Sequence, residues 1–360
     1  MKDKEYVFEP TRVSPSRVNK LTECGIAFRM KYLDRIPEER NGSFALFGSV
    51  VHKALERWST DRSQNLLDLM REAWISETEK GPVVREFLQH YQAICVEVIK
   101  AEHAAREAYN SNPRNNGKVC QAPRMTKHFK ESAAAKKLYA LLREWGPRLT
   151  AESPWEFTDR DPLAQFYDDS LVLAKRYEKQ WSHLPPVIKT EFECQEPWRG
   201  FNLGPMYVDS IEPLISPAGE LLGIGVIDYK TYKREPAEHK DYRQLVMYDA
   251  AIRSLVERGA MDLPIDSVPL YVGIDYVRWA GVKCDWLSPE GNSRRFWQIT
   301  SDDHDRLERE LIAYKGTVEA GNYLPAAKST NPDFCDYGSL CCLRSTSHAG
   351  GCASPVEIEL

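Results

Sequence analysis

The stretch that decides the fold lies at residues 206–231, where MYVDSIEPLI (206–215) and LLGIGVIDYKT (221–231) flank a turn-forming tetrad. Alternating apolar and polar residues on both sides of a Pro- and Gly-containing turn predict an antiparallel hairpin. The centre of the turn sets the register. One centre places Asp209 directly opposite Asp228, and a centre one residue earlier makes them diagonal neighbours. Both registers put the two carboxylates on one face.

Lys230 extends that face because it lies two residues beyond Asp228, whereas Tyr229 points away and leaves its carbonyl oxygen available. Two close carboxylates repel each other, so a half-buried sheet favours a cation between them. Their oxygens suit Mg²⁺ or Mn²⁺, which promote phosphodiester hydrolysis, and Lys230 would orient or help deprotonate the attacking water or offset transition-state charge. The alternative is a surface ion pair of Asp228 and Lys230 with a solvated Asp209, since D-x-K is a common tripeptide.

Working outward from the hairpin, the remaining patterns predict an α+β fold with a mixed sheet flanked by helices. A strand at VIKTEFECQ (187–195) precedes the hairpin, and alternation or helical periodicity predicts a helix at about 240–258, strands at 270–279 and near 294–300, and a helix at 301–321. Before residue 185 the periodicity is helical, with an apolar stripe at Phe47–Trp58 and a long run at Val83–Tyr109.

Several of these segments together resemble the PD-(D/E)XK nuclease superfamily, and more closely its RecB-like exonuclease branch, which includes the nucleases of CRISPR spacer acquisition. The matching segments are YVDSIE, GIGVIDYKT and YRQLVMYDAA, preceded by SPSRVNKLTECGIAFRMKYLDRIP and FGSVVHKALERW. They cover roughly a third of the chain in the family's order, and the ordered set is more specific than any single piece. The resemblance implies a restriction-endonuclease-like core.

The resemblance also implies roles for individual residues. The expected metal ligands are His52, Asp209, Asp228 and the carbonyl of Tyr229, and the expected catalytic residues are Asp209, Asp228, Lys230, Gln244 and Tyr248. Gln244 and Tyr248 lie one helical turn apart and fit the branch's Q-x-x-x-Y motif, which positions the nucleic-acid backbone or the lysine. A histidine among carboxylates shifts the metal preference towards Mn²⁺ without excluding Mg²⁺. Without the resemblance, His52 would be taken as a boundary residue of an amphipathic helix.

The predicted domain organisation has four parts: amino-terminal helices at 1–60, a helical insertion at 61–185, the nuclease core at 186–325 and a Cys-rich segment at 326–360. The insertion carries the polar stretch SNPRNNGKVCQAPRMTKHFKESAAAKK (111–137). Its basic residues predict either a solvated loop or a surface that contacts a polyanion. The candidate nucleic-acid-binding residues are Arg114, Lys118, Arg124, Lys127 and Lys130.

The nine cysteines are unevenly placed, and their odd number in a chain without an apolar leader argues against a disulfide framework. Many members of the branch carry a 4Fe-4S cluster on one early and three late cysteines. Cys24 stands at the early position, FCDYGSLC supplies Cys335 and Cys341, and Cys342 or Cys352 would replace a thiolate that is missing at Pro332. A Zn²⁺ site on Cys335, Cys342, His348 and Cys352, or free cysteines, are the alternatives.

Composition argues against a disordered chain and a membrane-spanning protein, but it does not identify the function. The chain of 360 residues is 42% hydrophobic and 28% charged, which excludes wholesale disorder, and no window is apolar enough for a membrane span. With 48 Lys+Arg against 53 Asp+Glu, the net charge of −5 requires a local basic patch for any polyanionic partner.

These features predict a cytoplasmic, metal-dependent DNA nuclease of a bacterial or phage-infected cell, most simply an exonuclease acting on ends or single strands. Its expected partners are DNA and proteins of recombination, replication or defence. The alternatives are a site-specific endonuclease, or an inactive nucleic-acid-binding or assembly subunit that keeps the fold.

Overall fold

A computed structural model of the chain describes residues 8–36, 41–115, 120, 123–156, 163–216, 218–232, 238–284, 286–288 and 290–324. Residue contacts divide the chain into two compact units. One, the sheet unit, comprises Met1–Glu39 and Leu184–Leu360, and the other, the helical unit, comprises Arg40–His183. Residues 40–60 therefore belong to the helical unit. The four-part domain organisation stays a prediction.

The sheet unit begins with strand β1 (Arg12–Val13) and helices α1 (Pro15–Glu23) and α2 (Gly25–Tyr32). Helix α1 begins where it does because the Ser14 hydroxyl accepts a hydrogen bond from the Arg17 amide at 3.4 Å and Pro15 occupies the first helical position. Cys24 separates the two helices and caps the second, since its Sγ accepts the Ala27 amide at 3.5 Å.

Most of the described helices lie in the helical unit, between residues 41 and 181. Its elements are β2 (Asn41–Gly42), α3 (Ser43–Thr60), α4 (Leu66–Glu77), α5 (Pro82–Gln92), α6 (Cys95–Asn110), α7 (Lys127–Glu131), α8 (Ala133–Glu152), β3 (Trp155–Glu156) and α9 (Leu163–Trp181).

Helix α3 belongs to this unit because its predicted apolar stripe is buried against α4 and α9. The Phe47 ring lies 5.5 Å from that of Phe166, and the Trp58 ring lies 5.7 Å from that of Tyr177. The periodic run at 83–109 is two helices, α5 and α6, broken at residues 93–94. Both helices pack on α8, and α6 packs on α7 as well.

The rest of the sheet unit carries the remaining strands and two long helices. Its elements are β4 (Lys189–Trp198), β5 (Phe201–Ile215), β6 (Leu221–Lys230), α10 (Glu238–Glu257), β7 (Leu270–Tyr276), β8 (Arg294–Trp297) and α11 (Ser301–Glu319). The strands form one six-stranded sheet in the order β1-β5-β6-β7-β8, with β4 also paired to β5. Pairs β4–β5, β5–β6 and β7–β8 are antiparallel, whereas β1–β5 and β6–β7 are parallel. The predicted α+β class with a mixed sheet is confirmed.

The register of the β5–β6 hairpin decides which side chains face each other. Ser210 pairs with Ile227 and Ile211 with Val226, so the next step of the same register sets Asp209 opposite Asp228. This is the directly opposed arrangement of the two that the turn allowed.

A buried ion network ties three strands of the sheet together. Arg294 on β8 pairs through Nη1 with Glu212 on β5, and its Nε donates to Asp275 Oδ2 on β7 at 2.8 Å. All three side chains are almost fully buried, so each charge depends on its partners. Around them, apolar residues of the sheet, α10 and α11 form a continuous core.

In the described part of the chain, no helix combines the length and apolar character that crossing a bilayer requires.

Candidate active site

Two buried carboxylates lie side by side on the central strands of the sheet. Asp209 on β5 and Asp228 on β6 are 6% and 4% exposed. The backbone amide of Tyr229 donates to Asp209 Oδ2 at 2.5 Å, which fixes the first carboxylate against the neighbouring strand. The Tyr229 side chain is buried, and its pKa is raised by that burial and by nearby Glu212. Its ring therefore lies near the buried ion network.

Helix α10 supplies the groups that hold Asp228. Gln244 Nε2 donates to Asp228 Oδ1 at 2.6 Å and to the Tyr248 hydroxyl at 2.5 Å. The Tyr248 hydroxyl in turn donates to the Tyr207 carbonyl at 2.6 Å. Gln244 and Tyr248 are one helical turn apart, as the sequence spacing predicts, so one helix face reaches both the carboxylate and the backbone of β5.

Lys230 lies on the same face and contacts the same groups. Its Nζ is 2.7 Å from Asp228 Oδ2 and donates to Gln244 Oε1 at 3.3 Å. Burial lowers the pKa of Lys230, but the carboxylate of Asp228, with further contributions from Tyr232 and Asp241, outweighs it and raises the pKa above its ordinary value. The lysine is therefore protonated in this arrangement and balances the charge of Asp228.

Burial also raises the pKa of Tyr248 well above its ordinary value, and the nearby charges of Asp228 and Asp209 act in the same direction. The hydroxyl therefore keeps its proton and remains a hydrogen-bond donor.

A third carboxylate, which sequence reasoning missed, joins Asp209. Glu191 on β4 has a carboxylate oxygen within 4.8 Å of one on Asp209. The pairs Thr190–Ser210 and Phe192–Val208 bracket Glu191 and Asp209, so the two residues face each other across neighbouring strands. Glu191 has φ +42°, a left-handed conformation that is uncommon for a residue with a side chain.

This donor set fits a hard divalent cation. Glu191 and Asp209 offer carboxylate oxygens from adjacent strands. Asp228, opposite Asp209, adds a third carboxylate that is buried on the same face. Oxygen ligands of this kind suit Mg²⁺ or Mn²⁺.

His52 lies on α3 of the helical unit and is partly buried there. Next to it, Lys53 Nζ contacts Ser76 Oγ at 2.6 Å and Glu77 Oε1 at 3.0 Å within the same unit. The role of His52 as a metal ligand stays a prediction.

The predicted basic residues separate into different environments. Arg124 is largely buried in the helical unit, where it pairs with Glu102 and, at 2.6 Å, with Asp168. Its guanidinium is buried with these two acids inside the unit, so it does not contribute to a basic surface. Lys127 and Lys130 are exposed. Lys118 and the side chain of Arg114 lie outside the described residues.

Only one of the candidate cluster cysteines is described. Cys24 is half-exposed, and the next residue, Gly25, donates its amide to the Leu324 carbonyl at 2.8 Å. The chain therefore approaches Cys24 immediately before it enters the Cys-rich segment. Outside the described residues lie Cys335, Cys341, Cys342, His348 and Cys352.

Comparison with protein-family models matches residues 12–115 and 130–342 to the PD-(D/E)XK nuclease superfamily. The match covers well over half of the chain and includes β5, β6 and α10. No curated protein matches the sequence.

Proposed function

The chain belongs to the PD-(D/E)XK nuclease superfamily of metal-dependent phosphodiester hydrolases, and we propose that it is a RecB-like exonuclease that degrades DNA from ends or along single strands. The observation that carries this proposal is the convergence of Asp228, Lys230 and Gln244 within hydrogen-bond distance on one sheet face, beside the opposed Asp209.

The residues that would hold a divalent cation are Asp209, Asp228, Glu191, the Tyr229 carbonyl and His52. A bound Mg²⁺ or Mn²⁺ would supply a Lewis acid for the scissile phosphate and lower the pKa of the attacking water. The protein's own part is to hold the carboxylates in place. Gln244 fixes Asp228 Oδ1, and the Tyr229 amide fixes Asp209 Oδ2. Such prealigned groups avoid reorganisation during the reaction.

Lys230 would act on the substrate from the same face. Its ammonium lies beside the carboxylates, where it would orient the attacking water and offset the negative charge that accumulates on the phosphoryl oxygens. Gln244 accepts a hydrogen bond from the lysine and would thereby keep the ammonium on this face of the sheet. This assigns the Q-x-x-x-Y pair a positioning role towards the lysine and Asp228.

A cleavage assay tests the proposal. End-labelled single-stranded DNA, double-stranded DNA and closed circles are incubated with Mg²⁺ or Mn²⁺, with EDTA as the blank. We expect linear substrates to be degraded, and Asp228→Asn and Lys230→Ala to lower the rate by at least about a hundredfold.

Asp249→Asn is the matched control, because Asp249 is a fully buried aspartate of α10 that pairs with Arg253 and His304. The assignment of Asp228 and Lys230 is wrong if their variants, folded like wild type, cleave at the wild-type rate. Cleavage of closed circles would identify an endonuclease instead.

The rival from another class is a binding or assembly subunit that performs no chemistry. Filter binding run beside the cleavage assay separates the two. Retention of DNA without products under every divalent ion would favour the rival.

We also propose that the exposed lysines of the helical unit contact the phosphate backbone. Arg114 and Lys118 remain candidates for the same surface, and Arg124 does not, because its guanidinium is buried with two acids. Replacing Lys127 and Lys130 with alanine should weaken DNA binding without sequence preference and reduce the salt slope by about 2.

The chain ends would be joined by a cysteine site. We propose a 4Fe-4S cluster on Cys24, Cys335, Cys341 and one of Cys342 or Cys352, supported by the approach of Leu324 to Gly25. Anaerobic purification followed by iron, sulfide and zinc analysis tests it. Zinc without sulfide would instead favour the site on Cys335, Cys342, His348 and Cys352.

A further inference from the structure

Asp241 is a buried carboxylate of α10 that the proposed reaction does not use. It is 4% exposed and lies one helical turn before Gln244. Its Oδ1 accepts a hydrogen bond from the Tyr232 hydroxyl at 3.1 Å and lies 4.0 Å from Lys230 Nζ. Its Oδ2 is buried and makes no hydrogen bond with any residue that the structure describes. Buried carboxylate oxygens are rarely left in this state, because the lost hydration is not replaced.

Lys230 lies against an Asp228 oxygen that the proposed metal would bind. Its ammonium lies 2.7 Å from Asp228 Oδ2, while Asp228 Oδ1 is held by Gln244. A divalent cation that binds Asp228 through Oδ2 would meet the ammonium at close range, where two positive charges repel strongly in a buried site. The lysine must therefore move when the cation binds, and a buried ammonium needs another counter-charge.

Asp241 is the second carboxylate within reach of this ammonium. Lys230 Nζ would move towards Asp241 while Gln244 Oε1, 3.3 Å away, can continue to accept its hydrogen bond. The movement is a rotation of a flexible side chain and transfers no proton.

We propose that Asp241 is a positioning residue that receives the Lys230 ammonium when the divalent cation takes Asp228 Oδ2. The inference rests on the proposed function, since it assumes that the cation binds at Asp228. It gives a role to Oδ2, which has no hydrogen-bond partner among the described residues: this oxygen would accept the displaced lysine. Without Asp241 the displaced ammonium would have no nearby carboxylate to pair with, and it would compete with the cation for Asp228.

Isothermal titration calorimetry of Mn²⁺ binding to the full chain, without DNA, tests the role of Asp241 directly. Asp241→Asn should weaken Mn²⁺ binding by about tenfold, because the displaced ammonium then stays partly unpaired. Lys230→Met removes the competitor, so Asp241→Asn added to Lys230→Met should change the affinity little. The two single variants and the double variant form a double-mutant cycle, which isolates the coupling between Asp241 and Lys230.

Two further variants separate a positioning role from a structural one. Asp241→Glu keeps the charge and should restore most of the affinity. Asp249→Asn, the matched buried aspartate of α10, should leave Mn²⁺ affinity unchanged even if it lowers the melting temperature.

The outcomes are distinguishable. Equal weakening by Asp241→Asn with and without Lys230, or no weakening at all, overturns the inference while the metal site stands. A wild-type chain that binds no Mn²⁺ overturns the proposed function together with the inference.

Discussion

The contact between Gly25 and Leu324 provides a sharp test of how α2 packs against the segment that follows α11. A Cβ added at Gly25 would lie 2.7 Å from the Leu324 nitrogen, 2.8 Å from its oxygen and 2.9 Å from the Tyr323 carbonyl carbon. All three are backbone atoms, so the clash cannot be relieved by rotating a side chain. Gly25→Ala should therefore push residues 323–324 away from α2.

The magnitude follows from two costs. Restoring ordinary contacts of about 3.5 Å would separate the two segments enough to break the Gly25–Leu324 hydrogen bond of 2.8 Å. This hydrogen bond contributes about 1 kcal/mol. Strain that remains after relaxation adds about 1–3 kcal/mol, and the better helix propensity of Ala offsets less than about 1 kcal/mol at a helix end. The net destabilisation is about 2 kcal/mol, which lowers the melting temperature by about 4–8 °C in a unit of this size.

Gly316→Ala is the matched control in the same unit. Gly316 lies inside α11, and an added Cβ there meets no atom within 4 Å. Ala is the better helix former, so this variant should raise stability by about 0.5–1 kcal/mol. Scanning calorimetry gives the two melting temperatures, and hydrogen exchange of peptides covering α2 shows whether the loss is local. Equal melting temperatures for the two variants would refute the close backbone approach.

Three further perturbations test other parts of the molecule. Arg294→Met leaves Glu212 and Asp275 buried without their cation and should cost about 3–5 kcal/mol in urea unfolding; a loss below about 1 kcal/mol would contradict the network. Burial raises the pKa of Asp168 to about 8 despite the opposing charge of Arg124. Since the unfolded value is about 3.9, the helical unit should lose stability as pH rises from about 4 to 8, by up to about 1.4 kcal/mol per pH unit. Asp168→Asn should remove that slope from a series of melting temperatures against pH, and an unchanged slope would assign it to another group. Glu191→Gln should weaken Mn²⁺ binding about tenfold in calorimetry; unchanged affinity would remove Glu191 from the site.

The secondary structure was largely predictable because periodicity reports which face of an element is buried. The alternation at 206–215 and 221–230 and the helical spacing around Gln244 and Tyr248 gave the correct element types. The helical periodicity predicted at 83–109 is correct, but it did not reveal the break between α5 and α6. Two consecutive helices with similar periodicity have no Gly or Pro between them, so no local signal marks the break at 93–94.

The residues missed in the active site depend on pairing that local patterns do not encode. β4 and β5 shift register between Cys194 and Glu196. Glu191 faces Asp209 only because it lies on the side of this bulge away from the turn at 199–200. A one-residue shift turns a side chain to the opposite face, so the prediction of a strand at 187–195 did not reveal Glu191. Likewise, the count of basic residues at 111–137 did not show that the partners of Arg124 are Glu102 and Asp168, which are distant in sequence.

By itself the sequence determined the α+β class, the hairpin and the shared face of Asp209, Asp228 and Lys230, because a strand's two-residue period and a short turn fix those relations locally. Tertiary structure alone decided that Glu191 joins Asp209, that Asp241 lies beside the lysine, and that the charge of Arg124 is buried. Those relations arise from strand register and helix packing between distant segments, where each side chain's surroundings are set by residues far away along the chain.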